Sequence, residues 1–504
     1  MSRKWFDIVA YGAVGNGAVK DTVAIQKAID ECGGKGGGTV YFPAGEYLTG
    51  TLVMRDRVTL HLEAGAVLVS SADKEDFLFA AQYGKSANPT SYPGLIYGKD
   101  VSDVAITGRG TIEGRDKMFW TPKETVGEGW NSTPPKYWPK QWRPMIILLD
   151  GCVNVLIEGI TIRHAPCYAG WLIDCERVQV RGLQVLNDFY GPNTDGLHMS
   201  SCRFVRISDC HFVNGDDSIA IDGDGTGPAE HVAITNCTFE TSCDAVRIYT
   251  GLDPWMVHDS YGEVRHISIG NCSVSNAAGG INLVAKNGLI EDITITGMTV
   301  RMAQEGTPIF IMTDKGIVRH VHISHLIAES DGACTIVGNP GDEIDHIVLS
   351  DIQFRVAAKK KMHGLEVPDP FPHYAHYHFV PYFIFVRHVR TVKLHNVGIA
   401  WLETDLTDSW CALKAIDADY IELDGFSGKP AGDDPALPAI WFEDVKEAAI
   451  SRCRGLNGTN KFLHVTGSAT QNIVLSHNDF SRNDCVYTVD ASSVVATEVV
   501  KQMA

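Results

Sequence analysis

Val205-Arg-Ile-Ser-Asp-Cys210, Val232-Ala-Ile-Thr-Asn-Cys237 and Ile267-Ser-Ile-Gly-Asn-Cys272 are three versions of one phrase. Each alternates apolar and polar residues, then closes on Asp or Asn followed by Cys. Alternation at period two is the pattern of a half-buried strand, and Asp or Asn bonds its own backbone at a corner. The same strand pattern recurs upstream at Val58–Leu62, Val104–Thr107, Val155–Ile160 and Val178–Val180. Downstream it recurs at Ile293–Thr296, Val321–Ser324, Ile347–Ser350, Val392–Leu394, Ile421–Leu423 and Ile473–Ser476. Most neighbours lie roughly 23 to 29 residues apart, a unit too small to bury its own apolar face, so the units must stack. Leucine-rich repeats share the period but need Leu at fixed places and a helix per unit, and neither is visible. Three short strands per turn with Gly and Asn corners predict an all-β fold. The expected architecture is a single-domain right-handed parallel β-helix over residues 1–504, with coils about 4.8 Å apart.

Open ends of such a solenoid expose strand edges to further chains. The segment 1–50 supplies a cap: Asp21 is placed to cap a helix from Thr22 to Cys32, with Ile25, Ala28, Ile29 and Cys32 on one face, and Gly33–Gly38 ends it. Two stretches break the period and are expected as excursions near the groove on one face. Residues 119–143 hold Trp120, Trp130, Tyr137, Trp138 and Trp142; residues 359–383 hold Phe371, His373, Tyr374, His376, Tyr377 and His378. The aromatics read equally as sugar platforms and as loop packing. The histidines lack Cys or acidic companions at a recognised metal spacing and read as a lid or an oligomer contact.

With 61 acidic against 43 basic residues the chain carries a net charge of −18, which repels phosphate backbones and anionic lipid. Nucleic acid and membrane are therefore excluded as expected partners. No apolar run approaches the ~18 residues of a membrane span, and the first residues carry no apolar leader segment. The 13 Cys form no CxxC pairs and suit reduced thiols, so the expected setting is the cytoplasm. Sequence leaves the oligomeric state open.

The densest polar sequence is Asn193-Thr-Asp195-Gly, then Gly215-Asp216-Asp217, then Ser242-Cys-Asp244. Asp195 and Asp217 are 22 residues apart, and Asp217 and Asp244 are 27 apart, so each step is about one coil and the acids stack. Neighbouring carboxylates raise one another's pKa, leaving one protonated as an acid beside an ionised base, which is what glycoside hydrolysis requires. Strand-ending Asp residues at corners would give similar letters. In a regular strand Asp216 and Asp217 face opposite ways, so both can serve only if a bulge or corner intervenes.

These segments resemble glycoside hydrolase family 28, the polygalacturonase family of the pectate-lyase-like superfamily. The resemblance also rests on Asp7-Ile-Val-Ala-Tyr-Gly-Ala, Asp21-Thr-x-x-Ile-Gln-x-Ala-Ile, Gly38-Thr-Val-Tyr-Phe-Pro-Ala-Gly45 and Leu60-His-Leu-Glu-Ala-Gly65, and it runs from about residue 5 to 300. It implies Asp216 as the general acid, Asp195 and Asp217 as activators of water for inversion, and Asn193 as a positioning group. It implies a carbohydrate substrate and neither cofactor nor metal.

The departures are specific. Cys243 stands where the family has the His of Gly-His-Gly, Asn282 and Val284 replace the Arg and Lys that bind a galacturonate carboxylate, and His198 replaces an acid. Plain polygalacturonate is thus an unexpected substrate. Arg247 and Tyr249, which follow Asp244 at strand spacing, and Lys286 one coil on, are the candidate replacements for substrate binding, along with Asn193, His198, Asp244 and Asn282. Arg247 reads equally as an ion-pair partner of the acids, and His198 either tunes Asp195 or is a hydrogen-bonded coil residue. Two other functions remain open at this point. In a Ca²⁺-dependent lyase, Asp195, Asp217 and Asp244 would hold the ion and Arg247 or Lys286 would abstract a proton. A non-catalytic carbohydrate-binding β-helix shares the fold.

Overall fold

The computed structural model describes residues 4–82, 91–124, 136–251, 261–330, 334–357, 369, 382–402, 409–432, 434–490 and 500–503. The chain divides into two compact units, Met1–Gly129 with Thr133–Cys272, and Trp130–Ser132 with Ser273–Ala504.

In the first unit the recurring phrase forms a ladder of parallel strands: Val58–Leu62, Ser102–Gly108, Val153–Glu158, Glu176–Arg181, Arg203–Ser208, Ala229–Thr235 and Gly262–Gly270. The register aligns Leu60, Ile106, Ile157, Val180, Ile207, Ile234 and Ile269 in one buried column. A second ladder stacks Leu68, Ile112, Ile162, Val185, Phe212 and Phe239. A third runs through Ser91–Lys99, Met145–Asp150, Gly170–Ile173, Leu197–Ser200, Ile219–Asp222 and Asp244–Thr250. Successive strands visit the three ladders in turn, so the unit is a parallel β-helix with three strands per coil, as the sequence predicts. The inward residues make its core, and each fully buried Leu, Ile or Phe contributes about 1.5–3 kcal/mol.

The Asp/Asn-Cys pairs have a physical cause. Gly182, Asp209, Asn236 and Asn271 turn the same corner on successive coils with φ of 61°, 58°, 56° and 55°. That left-handed conformation costs other L-residues roughly 1–2 kcal/mol, and Gly, Asn and Asp adopt it most readily. Behind the corner, Cys210, Cys237 and Cys272 are buried, and each thiol donates to the carbonyl two residues earlier, at 3.2, 3.3 and 3.3 Å.

The predicted helix is present as Thr22–Gly34, two residues longer than expected, with Ile25, Ala28, Ile29 and Cys32 buried. Asp21 occupies the N-cap position, but its carboxylate accepts from the backbone of Val14 (2.7 Å) and Gly15 (3.0 Å) and not from the helix. It ties the preceding turn instead, because those two amides present themselves first.

The flanks of the first excursion, Trp120–Pro122 and Tyr137–Pro139, pair as an antiparallel ribbon. Trp120 donates to the Pro166 carbonyl (2.9 Å), and Trp142 packs on Phe77, Phe79 and Phe119. These two are loop packing; Trp138 is 61% exposed. Trp130, and the aromatics and histidines of the second excursion from Phe371 to His378, lie outside the described residues.

The second unit repeats the design with longer strands. Parallel pairing of Gly288–Thr313, Gly316–Ser330, Glu343–Val356, Tyr382–Trp401, Cys411–Asp424, Pro438–Ser451 and Asn472–Ser476 aligns Ile295, Ile323, Leu349, Leu394, Leu423, Ile450 and Leu475, all buried.

Candidate active site

The polar cluster is built on the third ladder of the first unit. Its register sets Trp171, His198, Ala220 and Arg247 in one row, and Ile173, Ser200, Asp222 and Tyr249 in the next but one. Large side chains thus converge around the single methyl of Ala220.

Asp195 precedes the strand Leu197–Ser200, on a corner that begins at Asn193 with φ 52°. Thr194 fixes that corner by receiving the Gly215 amide (2.9 Å), and Asn187 bonds the Thr194 carbonyl (3.3 Å). Gly215 opens the next corner. A Cβ there would collide with the Gly191 backbone, so only glycine lets the two coils approach. Residues 215–218 lie between strands, which is the corner that the Asp216-Asp217 doublet requires. As a result both carboxylates turn toward one place: Asp216, Asp217 and the Cys243 sulfur each bring an atom within 4.8 Å of the others. The Asp217 amide donates to Asp216 Oδ1 (3.0 Å) and the Asp244 amide to Asp217 Oδ1 (3.3 Å).

The acids have different surroundings. Burial, followed by the charges of Asp195 and Asp217, pushes Asp216 well above the usual carboxylate range, against the pull of Arg247. Burial also raises Asp195, opposed by the hydrogen bond and charge of His198 and by Arg247, with Asp217 adding to the rise. Arg247 Nη1 lies 3.3 Å from Asp217 Oδ2, and its guanidinium sits 5.1 Å from the Tyr249 ring centroid. The Arg247 Nε has no hydrogen-bond partner among the described residues. Asp244 is fully buried.

His198 is 6% exposed and stacks on Tyr168, with ring centroids 4.8 Å apart and planes 19° from parallel. Its Nδ1 lies 3.3 Å from Asp195 Oδ2, and its Nε2 lies 2.9 Å from both Asp222 Oδ2 and Tyr249 Oη. Burial pulls its pKa down, but the hydrogen bonds and charges of Asp195 and Asp222 outweigh this and lift it to about 10. His198 and Tyr249, expected to bind substrate, therefore meet each other. Asn193 Oδ1 accepts from Arg143 Nη2 (2.7 Å), and Arg143 also donates to the Pro192 (2.6 Å) and Pro166 (3.1 Å) carbonyls. Its visible work is to anchor the first excursion. Burial and the nearby acids keep Cys243 a thiol, its pKa well above the ordinary value.

Asn282 and Lys286 belong to the second unit: Asn282 is buried on the strand Ser273–Ala285, opposite Phe310, and half-buried Lys286 follows that strand. Asp222, Ser200, Arg143 and Tyr168 were not singled out from sequence. Asp222 had a readable signal, since it stands 22 residues after Ser200 and 27 before Tyr249, the same steps that separate the catalytic candidates.

Residues 39–315 match the model of the glycosyl hydrolases family 28. A probable polygalacturonase of Vitis vinifera is 27% identical over 70% of this chain and 75% of its own length. An exopolygalacturonase of Zea mays is 26% identical over 61% of this chain and 69% of its own. The Yersinia enterocolitica family 28 exopolygalacturonase has the same fold, with a TM-score of 0.64 at 16% identity, covering 84% of this chain and 78% of that one. With its paired carboxylates set on a parallel β-helix, the chain belongs to glycosyl hydrolase family 28 and is a glycosidase.

Proposed function

We propose that the enzyme is an inverting hydrolase of a pectin-related glycan other than plain polygalacturonate. The observation that carries the catalytic assignment is the split among the clustered acids. Asp216, pushed well above the usual carboxylate range by burial and two like charges, is the acid of the cluster and protonates the glycosidic oxygen. Asp217 and Asp195, each beside a cation, act as the bases that activate water on the opposite face of the sugar.

The substrate reading rests on charge. Asn282 and Val284 stand where the family pattern has two cations, and a net charge of −18 opposes a polyanion's approach. Arg247, whose side chain keeps 14% of its surface exposed beside Asp217, is the candidate contact for a sugar hydroxyl or a single uronate carboxylate. Asp244, Tyr249 and Asn193, of the same unit, complete the proposed binding set. The lyase reading gains no support from the site. The atoms that converge include a thiol, which Ca²⁺ does not favour, and Arg247 is paired and has its pKa raised, the reverse of what a proton-abstracting base needs. A cytoplasmic setting fits thirteen free cysteines, twelve of them buried, and the helix Thr22–Gly34 fits a cap on the first coils.

The test is a screen of aryl glycosides and pectic oligosaccharides, followed by NMR of the first-formed anomer. Inversion with a preferred substrate other than polygalacturonate supports the proposal. A retained anomer, an unsaturated product or equal rates on polygalacturonate each refute the corresponding part.

A further inference from the structure

We propose that His198 is a positioning residue that keeps Asp195 ionised for its part in activating water, and that Asp222 is the group that fixes His198 in this role. The inference rests on the reading of Asp195 as a base.

The geometry leaves His198 little contact with substrate. Tyr168 covers one face of the ring, Trp171 lies 5.8 Å away between centroids, and only 6% of the residue is exposed. What the ring does meet is a carboxylate oxygen at each nitrogen, Asp195 at 3.3 Å and Asp222 at 2.9 Å. A neutral imidazole has one N–H and one lone pair, and a lone pair facing a carboxylate is repelled, so both nitrogens carry protons; Tyr249 Oη, also 2.9 Å from Nε2, accepts from the same N–H that faces Asp222. Asp222 is fixed in turn: its Oδ2 accepts from Ser200 Oγ (2.7 Å), and that oxygen accepts from Trp171 Nε1 (3.0 Å). A chain of contacts therefore runs Trp171, Ser200, Asp222, His198, Asp195 across three neighbouring strands.

The charged and titratable groups around the pair act in known directions. Asp195, Asp222, Tyr168 and Tyr249 surround His198; Asp216, Asp217, Arg247 and Cys167 share the space around Asp195. Burial and Asp217 raise Asp195 toward its protonated, inactive form. A permanent imidazolium opposes this, and it remains charged through neutral pH because its own pKa is lifted to about 10.

The experiment combines two readouts on the full chain. In ¹⁵N NMR, His198 of the wild type should show two protonated ring nitrogens at pH 8, and Asp222→Asn should return it toward ordinary titration near neutrality. In kcat/KM profiles on the best substrate of the screen, His198→Gln should move the acid limb up by about one pH unit or more, since removal of an adjacent opposite charge shifts a carboxyl by that order. Asp222→Asn should move the same limb in the same direction. Activity above the shifted limb should recover to within about tenfold, given that general base contributions are about 10²–10⁴-fold. A neutral His198 at pH 8 in the wild type overturns the proposal, whatever the variants do. An active wild type whose acid limb is unmoved in a folded His198→Gln or Asp222→Asn overturns the positioning role alone. Failure of the wild type to hydrolyse any glycoside overturns the base assignment, and the positioning role with it, even if the imidazolium is found.

Discussion

Replacing Arg247 with Ala removes the cation paired with Asp217, one of the three proposed catalytic acids. Arg247 Nη1 and Asp217 Oδ2 are 3.3 Å apart, with side chains 14% and 4% exposed. At an effective dielectric of about 20, opposite charges at that distance attract by roughly 5 kcal/mol. Desolvation offsets part of this, and breaking a buried pair from one side costs about 3–5 kcal/mol because the remaining charge is stranded. The modest exposure of the guanidinium places the expected loss at the lower end, about 3 kcal/mol in urea unfolding. The activity effect has a definite sign. Arg247 lowers both Asp216 and Asp195. Without it both carboxyls hold protons to higher pH: the acid limb, which needs ionised Asp195, moves up, and the basic limb, which needs protonated Asp216, moves up with it. For a neutral substrate the whole bell should shift alkaline by about one pH unit. For a uronide bound through Arg247, KM should instead rise at least tenfold at an unchanged optimum, since a charged hydrogen bond is worth about 1.5–3 kcal/mol. Steady-state kinetics across pH, on a folded variant verified by circular dichroism, distinguish the two. A variant with neither the optimum nor KM changed would refute the role given to Arg247.

Asp216→Asn should fold and lose at least about 10²-fold in kcat, because an amide of the same shape cannot deliver a proton to the leaving oxygen; undiminished turnover removes Asp216 from the mechanism. EDTA should leave activity unchanged, since a carboxyl that protonates the leaving oxygen and a carboxylate that deprotonates water need no ion; loss on chelation restored by Ca²⁺ would revive the lyase. Phe239→Ala should cost about 3–5 kcal/mol in denaturant unfolding without changing KM, because Phe239 is 1% exposed and stacks on Phe212 at 5.6 Å inside the coil. A loss under 1 kcal/mol would mean that the column relaxes around the gap.

The sequence made the coil legible because each coil position answers one local demand. Asn236 and Cys237 recur in kind since a left-handed corner and a thiol-to-carbonyl bond recur, and a column of such demands prints itself on the chain at the repeat spacing. The Asp216-Asp217 doublet was legible as a requirement for a corner, and Gly215 supplies the close approach that makes one. What stayed hidden depends on contacts between coils. Asp222 looks like any strand-ending acid until the register sets it beside His198 and Ser200. Asp21 has the right letter and place for a helix cap, yet it serves Val14 and Gly15, a choice set by the path of the preceding turn. Asn193 shows its bond to Arg143 only once the first excursion is folded.

The departures from the family pattern make more sense together than singly. In that pattern an acid often stands at position 198 and an imidazole at position 243; here the imidazole is at 198 and a thiol at 243. Moving the cation from one side of the cluster to the other changes which acid it favours. Cys243 is a neutral thiol whose bond to Asp216 lowers that acid's pKa, and burial with the charges of Asp195 and Asp217 outweighs it. His198 instead sits against Asp195, where a positive charge favours the ionised base. His198 thus pulls Asp195 down while burial and like charges push Asp216 up, which is the condition for one carboxyl to give a proton while its neighbour takes one. Because the acids share the same cations, the effects of replacing His198 and Arg247 should not add. Each removal raises Asp195, and once it is protonated by one change the second has less ionised base left to lose.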